Sequence, residues 1–387
     1  MLASCIASAT HAQAPTPTPI HFRLDWVWQA PQSIWTLAAE RGYFKDEGLE
    51  VAIDRGFGGP DTIGNVGAGS YEFGFSDINN LVEFNAKNPN QRVISVFVVY
   101  DATLSAIITR KGQRHRPAQD LEGRLIGAPT TTAGRTLFPA FAKVNDIDLA
   151  KIRWQTIGIQ LQDQQFAAGA FDAIASFSTT SLLNLKLLGV ERKDLTVFNF
   201  FDHGLDLYGS ALLVRPDWAA AHPETVRKFL RATVKGNERH AADKAGAIAS
   251  LQKRDPLLDT KVELERLDLM IELALRTPSV ARNGVSHVDP ARLDRGLAIV
   301  AEAFNIAPSP TAADLFDARY LPPAARPHAQ VLTWRAQGLD RVVPNLVRHC
   351  EGDVPLFDGL DQACDSPLTE RGDDRWPAAN SPSKSCN

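Results

Sequence analysis

Apolar positions along this chain recur in two registers, one with strand character and one with helical character. From residue 20 to about 215, short β-type runs alternate with stretches of helical pattern. The runs Ile20–Trp26, Leu49–Ile53, Phe73–Phe75, Val93–Val99, Leu104–Thr109, Leu125–Gly127, Arg153–Ile157, Ala173–Ser176 and Leu195–Phe198 predict strands. Between them, Pro31–Arg41 ends at Gly42, Pro60–Ala68 ends at Gly69, and Arg135–Val144 follows Gly134. Proline early in a helix and glycine just past its end is the expected polarity of a helical segment. Strands alternating with helices of this length predict parallel α/β sheets. After Tyr208–Val214 the pattern turns helical, and Pro223–Ala242, Lys261–Leu275 and Pro290–Phe304 read as amphipathic helices with charged outer faces. From about residue 328 the order signal weakens. His328–Val347 reads as one more helix, and Ser366–Asn387, rich in Ser, Pro, Asn, Asp and Gly, reads as disordered.

The length of 387 residues suggests two lobes plus extra material. With 41 Lys and Arg against 45 Asp and Glu, the net charge of −4 argues against a nucleic-acid-binding surface as the main role. No uninterrupted apolar run is long enough to span a bilayer. Cys5 stands at the extreme N-terminus and Cys350, Cys364 and Cys386 stand in the tail, so the body between them has no cysteine. That removes a cysteine nucleophile, a CxxC redox pair and a cysteine-ligated zinc from the body. Residues 8–14 offer small residues at the spacing of an export cleavage site, followed by the Pro/Thr linker of residues 15–19. Leu2-Ala3-Ser4-Cys5 also resembles a lipoprotein box with Cys5 as the acylated residue. An exported, periplasmic protein is the expectation, with lipid anchoring through Cys5 as the alternative and a meaningless Ala/Ser-rich start as the bland one.

Catalytic signatures are absent: there is no HExxH, GxSxG, Walker loop or EF-hand loop. Ser250-Leu251-Gln252-Lys253 matches S-x-x-K without its partner motifs, and the nine histidines form no pair at ligand spacing on a helix face. The segment Leu24-Asp25-Trp26-Val27-Trp28-Gln29 is different, because it places an acid between tryptophans at a predicted strand end. Ligands of open α/β sheets bind at the carboxyl ends of strands. There Trp26 or Trp28 would stack on a planar ligand and Asp25 would accept its N–H bonds; otherwise the tryptophans are ordinary packing residues.

The same segment opens a longer likeness. Leu24-Asp25-Trp26, the stretch from Ala39-Glu40-Arg41-Gly42-Tyr43-Phe44 to Gly48-Leu49-Glu50-Val51, and Phe73-Gly74-Phe75-Ser76-Asp77 follow in order. Asp120-Leu121-Glu122-Gly123-Arg124-Leu125-Ile126-Gly127 and Phe171-Asp172-Ala173-Ile174 continue the series, and it ends near Tyr320-Leu321-Pro322. Over about three hundred residues the chain resembles the thiamine-pyrimidine/nitrate/sulfonate (NMT1/THI5-like) family of ABC-transporter substrate-binding proteins. The resemblance implies an α/β fold of the type II periplasmic binding protein: two lobes joined by two crossing strands, with the ligand cleft between them. Crossings are expected near Tyr100–Leu104 and Asp202–Tyr208. Residues 18–102 with 206–326 would form lobe one and 103–205 lobe two, with 1–17 a leader remnant and 327–387 a C-terminal extension. It also implies a small-molecule ligand and a membrane permease with its ATPase as partners, and a monomer.

The family includes an enzyme branch that builds the thiamine pyrimidine from pyridoxal phosphate and a sacrificed histidine, with iron. Where those enzymes carry the cofactor lysine and that histidine, this chain has Ser76 and Asn80; a further histidine position is Gln32, and the cysteine-rich strand falls near 204–212, which has no cysteine. A Schiff base needs an amine and iron needs ligands, so the chain is expected to be a binder without cofactor or metal.

The expected ligand residues are then Asp25, Trp26, Trp28, Gln32, Ser76, Asp77, Asn80 and Tyr208, together with two glycine-containing turns. One turn holds Gly58; the other, Thr130, Thr131, Thr132 and Gly134, is either an anion seat reinforced by Arg135 or a capped turn with no ligand. Tyr100, Asp101, Gln160, Ser176 and Asp202 are weaker candidates, and Tyr208 is equally read as hinge packing. A bare anion about 4 Å from a carboxylate would meet a penalty of roughly 4 kcal/mol at intermediate dielectric. A planar nitrogen heterocycle of the thiamine-precursor type is therefore favoured over taurine, alkylsulfonate or nitrate, although Asp77 also reads as a cap on the following helix.

Overall fold

The structure, a computed structural model, describes residues 16–111 and 118–323. The expected helix and disordered tail beyond residue 327, the leader and all four cysteines lie outside the described residues. Ten strands form two five-stranded sheets. In chain order they are β1 (Thr18–Arg23), β2 (Leu49–Asp54), β3 (Phe73–Asp77), β4 (Ile94–Val98), β5 (Ser105–Arg110), β6 (Leu125–Ala128), β7 (Arg153–Thr156), β8 (Ala173–Phe177), β9 (Leu195–Asn199) and β10 (Ser210–Val214). The first sheet runs β2-β1-β3-β10-β4 and the second β7-β6-β8-β5-β9. Each expected strand is present, but the sheets are mixed rather than parallel. β10 runs antiparallel to β3 and β4, and β5 runs antiparallel to β8 and β9. The reason is connectivity: a strand arriving from the other sheet enters without a helical crossover and so is free of the parallel constraint that a βαβ unit imposes.

β3 and β10 are buried along their whole length, which matches sheets covered by helices on both faces. Trp35, on helix Ser33–Glu40, packs edge-on against Phe22 at 4.9 Å between ring centroids. Phe229, on the long helix Pro223–Ala242, stacks on Phe73 at 4.1 Å. The helical region expected after β10 is observed as Pro223–Ala242, Thr260–Met270 with a wider turn at Ile271–Leu275, and Pro290–Ala303. Its residues Phe229, Leu267 and Met270 join the core of the first sheet. Among the described residues no helix is long and apolar enough to cross a membrane.

The chain passes between the sheets twice, over residues 99–104 and 200–209. The two passages lie against each other: Gly209 N–H donates to Tyr100 O at 2.9 Å and Thr103 N–H to Leu207 O at 2.9 Å. A Cβ at position 209 would sit 2.7 Å from Ala102 O, so the close approach of these backbones requires glycine. Two α/β lobes joined by a paired crossing are thus present, and among the described residues the covalent links between them are these two passages.

Candidate ligand-binding cleft

β1 ends at Arg23 rather than at Trp26, so Asp25 and Trp26 lie in the loop beyond the strand. That loop is nevertheless held. Leu24 N–H donates to Asp54 O, Gly56 N–H to Trp26 O at 2.9 Å, and Gly58 N–H to Asp25 O at 2.8 Å. Paired backbones continue past the strand ends and present Asp25 and Trp26 toward the other lobe. From the first lobe, Asp25, Trp26, Gln32, Asp77 and Asn80 line a cleft. From the second come Thr131, Thr132, Ser176, Phe177 and Thr180, and Tyr100 and Leu104 from the crossing close its base. These walls bound about 590 Å³ of empty space, counting the open mouth. Among the described residues that line it there is no lysine or arginine.

Asp25 is buried and its Oδ1 accepts a hydrogen bond from Gln32 Nε2 at 3.0 Å. Burial, with a smaller contribution from the nearby Asp77 charge, pushes its carboxyl up to about 7; the amide bond from Gln32 opposes the rise. Gln32 Oε1, Asn80 Nδ2 and Ser76 Oγ are buried without a hydrogen-bond partner. Groups of this kind are costly to leave unpaired and are normally satisfied by protein, water or ligand. Asn80 Oδ1 accepts from Thr136 Oγ1 at 2.8 Å, which leaves its amide N–H as the free donor.

Asp77 has a different task. Its Oδ1 accepts from Asn79 N–H at 3.0 Å and from Asn79 Nδ2 at 2.7 Å, and its Oδ2 accepts from Thr103 Oγ1 at 2.9 Å. Asn79 Nδ2 also donates to Tyr208 O at 2.6 Å. Asp77 therefore ties β3 to both crossings while one face borders the cleft. Burial raises its carboxyl from the ordinary range against these three bonds.

Other expected residues lie elsewhere. Trp28 is half-buried beside the first core, with the Arg254 guanidinium 5.8 Å from its ring centroid. Tyr208 is at the crossing, its ring under the Arg292 guanidinium at 4.0 Å and its hydroxyl accepting from Asp289 N–H at 2.9 Å. Asp101 is the ion partner of the same Arg292 at 2.9 Å. Ser76 is buried in β3 beneath Gly59, which does line the cleft. Thr130 is exposed, Gly134 is buried where its turn meets Ser176, and Gln160 and Asp202 are exposed. Arg135 does not reinforce an anion seat: its Nη1 donates to Ala128 O at 2.8 Å and to Thr156 Oγ1 at 3.0 Å, and its guanidinium covers the Trp154 ring. The Thr131 hydroxyl is likewise engaged, donating across the lobes to Phe57 O at 3.1 Å. Gly58 faces it with a φ of +122°, and a Cβ there would come within 2.6 Å of Thr131, so the lobes meet on glycine. Gln29, Pro31, Gly59, Leu104, Ala133, Phe177 and Thr180 line the cleft without having been singled out in the sequence.

Two α/β lobes, two paired crossings and a polar cleft between them define a bilobal binding-protein fold. The chain belongs to the NMT1/THI5-like family, whose model matches residues 32–247. A formylaminopyrimidine-binding protein of Halalkalibacterium halodurans is 24% identical over 277 residues, covering 70% of this chain and 82% of the relative. A 4-amino-5-hydroxymethyl-2-methylpyrimidine phosphate synthase of Legionella pneumophila is 24% identical over 213 residues, covering 55% and 66%. Among solved structures, the alkanesulfonate-binding protein SsuA from Xanthomonas axonopodis pv. citri, bound to MOPS, superimposes with a TM-score of 0.58 at 18% identity. That match covers 81% of this chain and 97% of that one.

Proposed function

We propose that this chain is the extracytoplasmic solute-binding component of an ABC importer, and that its cleft takes a small planar nitrogen heterocycle carrying an amino group. The observation that carries the reading is Asp25: a buried carboxyl beside Trp26 in a cleft whose described lining residues include no cation. A carboxyl complements an N–C–NH₂ edge in either protonation state. Ionised, it accepts from the amino group and from a protonated ring nitrogen; protonated, it donates to the ring nitrogen and accepts from the amino group. Its raised pKa near 7 keeps both forms accessible at neutral pH. The Trp26 indole and the Phe177 ring, both at the cleft, offer faces for a flat ring, and Gln32 Oε1 and Asn80 Nδ2 offer a further acceptor and donor.

The same lining weighs against the sulfonate and nitrate readings, since among the described residues an anion would meet no lining cation and would sit beside an ionised Asp25 or have to hold it protonated. It also does not fit pyridoxal phosphate. By the resemblance, Ser76 and Asn80 stand at the positions of the enzyme branch's lysine and histidine, and among the described residues no lining side chain carries an amine or a cation to meet a phosphate. We therefore read the chain as a receptor rather than a synthase. Residues 18–102 with 206–326 would move against 103–205 about the paired crossing, closing on ligand and presenting the closed form to a permease.

A heat-unfolding panel on the full chain tests this. At 100 times its Kd a ligand adds about 2.7 kcal/mol of stability. A rise in midpoint with 4-amino-5-hydroxymethyl-2-methylpyrimidine, and none with taurine, alkylsulfonates or nitrate, is expected. A rise with the anions alone would overturn the ligand assignment, and a pyridoxal absorbance band on the purified protein would overturn the receptor reading.

A further inference from the structure

Away from the cleft lining, helix Thr260–Met270 carries a buried ion pair that touches both walls of the cleft. Arg266 is 1% exposed, one of the largest fully buried side chains among the described residues. Its Nε donates to both carboxylate oxygens of Glu263 at 3.1 Å. On the second-lobe side, Nη1 donates to Thr179 O at 2.7 Å and to Thr180 O at 2.8 Å, and Nη2 donates to Asn184 Oδ1 at 2.9 Å. Asn184 in turn donates through Nδ2 to Asp163 at 2.7 Å. On the first-lobe side, Glu263 Oε2 accepts from Ala30 N–H at 2.6 Å, in the turn that carries Gln29, Pro31 and Gln32 into the cleft. Thr180 Oγ1 and Gln29 Oε1 then meet directly across the gap at 3.3 Å.

We propose that Glu263 and Arg266 are positioning residues: a latch, formed when the lobes close, that joins the turn holding Gln32 to the helix Ser178–Leu187 bordering the other wall. The helix that bears the pair packs on both lobes: Leu267 and Met270 join the core around Trp35, while Val262 joins the second-lobe core with Leu182 and Leu183. Opening the cleft by lifting Ser178–Leu187 off this helix would part Arg266 from Thr179, Thr180 and Asn184 while keeping it beside Glu263. A guanidinium suits this task because its planar fork can hold three acceptors on one side and a carboxylate on the other. Burying the pair is costly, and these bonds offset that cost only with the lobes together. The latch thereby sets how closed the unliganded molecule is and how firmly the ligand is held. This deepens the receptor reading and rests on it only for the ligand.

The test compares the full-length protein with Arg266→Lys and Arg266→Met by amide exchange without ligand. Exchange at least tenfold faster in residues 29–36 and 178–184, with β3 and β10 unchanged, is expected for both variants. Affinity for 4-amino-5-hydroxymethyl-2-methylpyrimidine should fall about tenfold, with smaller compaction on binding in solution scattering. Unchanged exchange in the two segments overturns the latch. So does faster exchange spread equally over β3 and β10, or loss of fold in both variants, since each makes the pair an ordinary core element. A wild-type protein that does not bind the pyrimidine defeats the proposed ligand alone, because the exchange comparison decides the latch without it.

Discussion

The two walls of the cleft are built from different chemistry. The first lobe contributes a buried carboxyl at Asp25, the Trp26 indole and the amides of Gln32 and Asn80. The second contributes hydroxyls at Thr131, Thr132, Ser176 and Thr180 and the Phe177 ring, with no charged side chain among the described lining residues. Part of the second wall's hydrogen-bonding capacity faces the first lobe rather than the cleft, as Thr131 to Phe57 O and Thr180 to Gln29 illustrate. The contrast teaches that charge is confined to one wall: on the proposed function the first wall would select by electrostatics and stacking, and closure would not bring two charged surfaces together, which would add a desolvation cost.

If the asymmetry is correct, the largest effect lies on Asp25. Its carboxyl is raised from 3.8 to about 7 in the folded protein, so the neutral form is favoured by folding. Stability from this group is fully present below about pH 4 and is lost as pH rises through about 7, a difference on the order of 4 kcal/mol. Asp25→Asn should remove that slope, and the difference between the unfolding curves of the two proteins from pH 4 to 8 measures it; parallel curves would break the electrostatic half of the comparison. Asp25→Ala should next weaken aminopyrimidine binding about 100-fold by calorimetry, as expected for a buried charge-assisted hydrogen bond. Trp26→Ala should cost roughly tenfold through lost stacking, and an unchanged affinity would take the indole out of the site. Thr131→Val on the second wall should change affinity only about threefold, since one neutral hydrogen bond between lobes is at stake. A Thr131 effect equal to that of Asp25 would erase the distinction between the walls.

Much of the fold was legible because strand and helix patterns are local. Nine of the ten strands fall within a few residues of the expected runs, with the overrun at Trp26 the largest, since apolar side chains continue where sheet pairing stops; β10 was not among the expected strands. The cleft was legible where it is built from strand ends. Asp25, Trp26, Gln32, Asp77 and Asn80 were named from the family's motifs and from the position of an acid among aromatics, and all five line it. Trp28 was not separable from Trp26 by sequence, because two residues apart in an irregular loop says nothing about which indole faces the other lobe. Arg135 looked like a partner for an anion, yet a guanidinium beside an aromatic ring and two free acceptors on β6 and β7 finds them first.

The amino-acid sequence by itself determined the alternation of strands and helices, the absence of cysteine from the body and the presence of Ser76 and Asn80 at the first wall. These depend on side-chain identity and short-range periodicity. The tertiary structure decided the reversal of β5 and β10, the role of Asp77 as a tie between β3 and both crossings, and the meeting of Glu263 and Arg266 with residues 30 and 179–184. Those contacts join segments separated by 26 to 233 residues. A hydrogen bond acts over about 3 Å, so what lies within that range is settled only once the chain has packed.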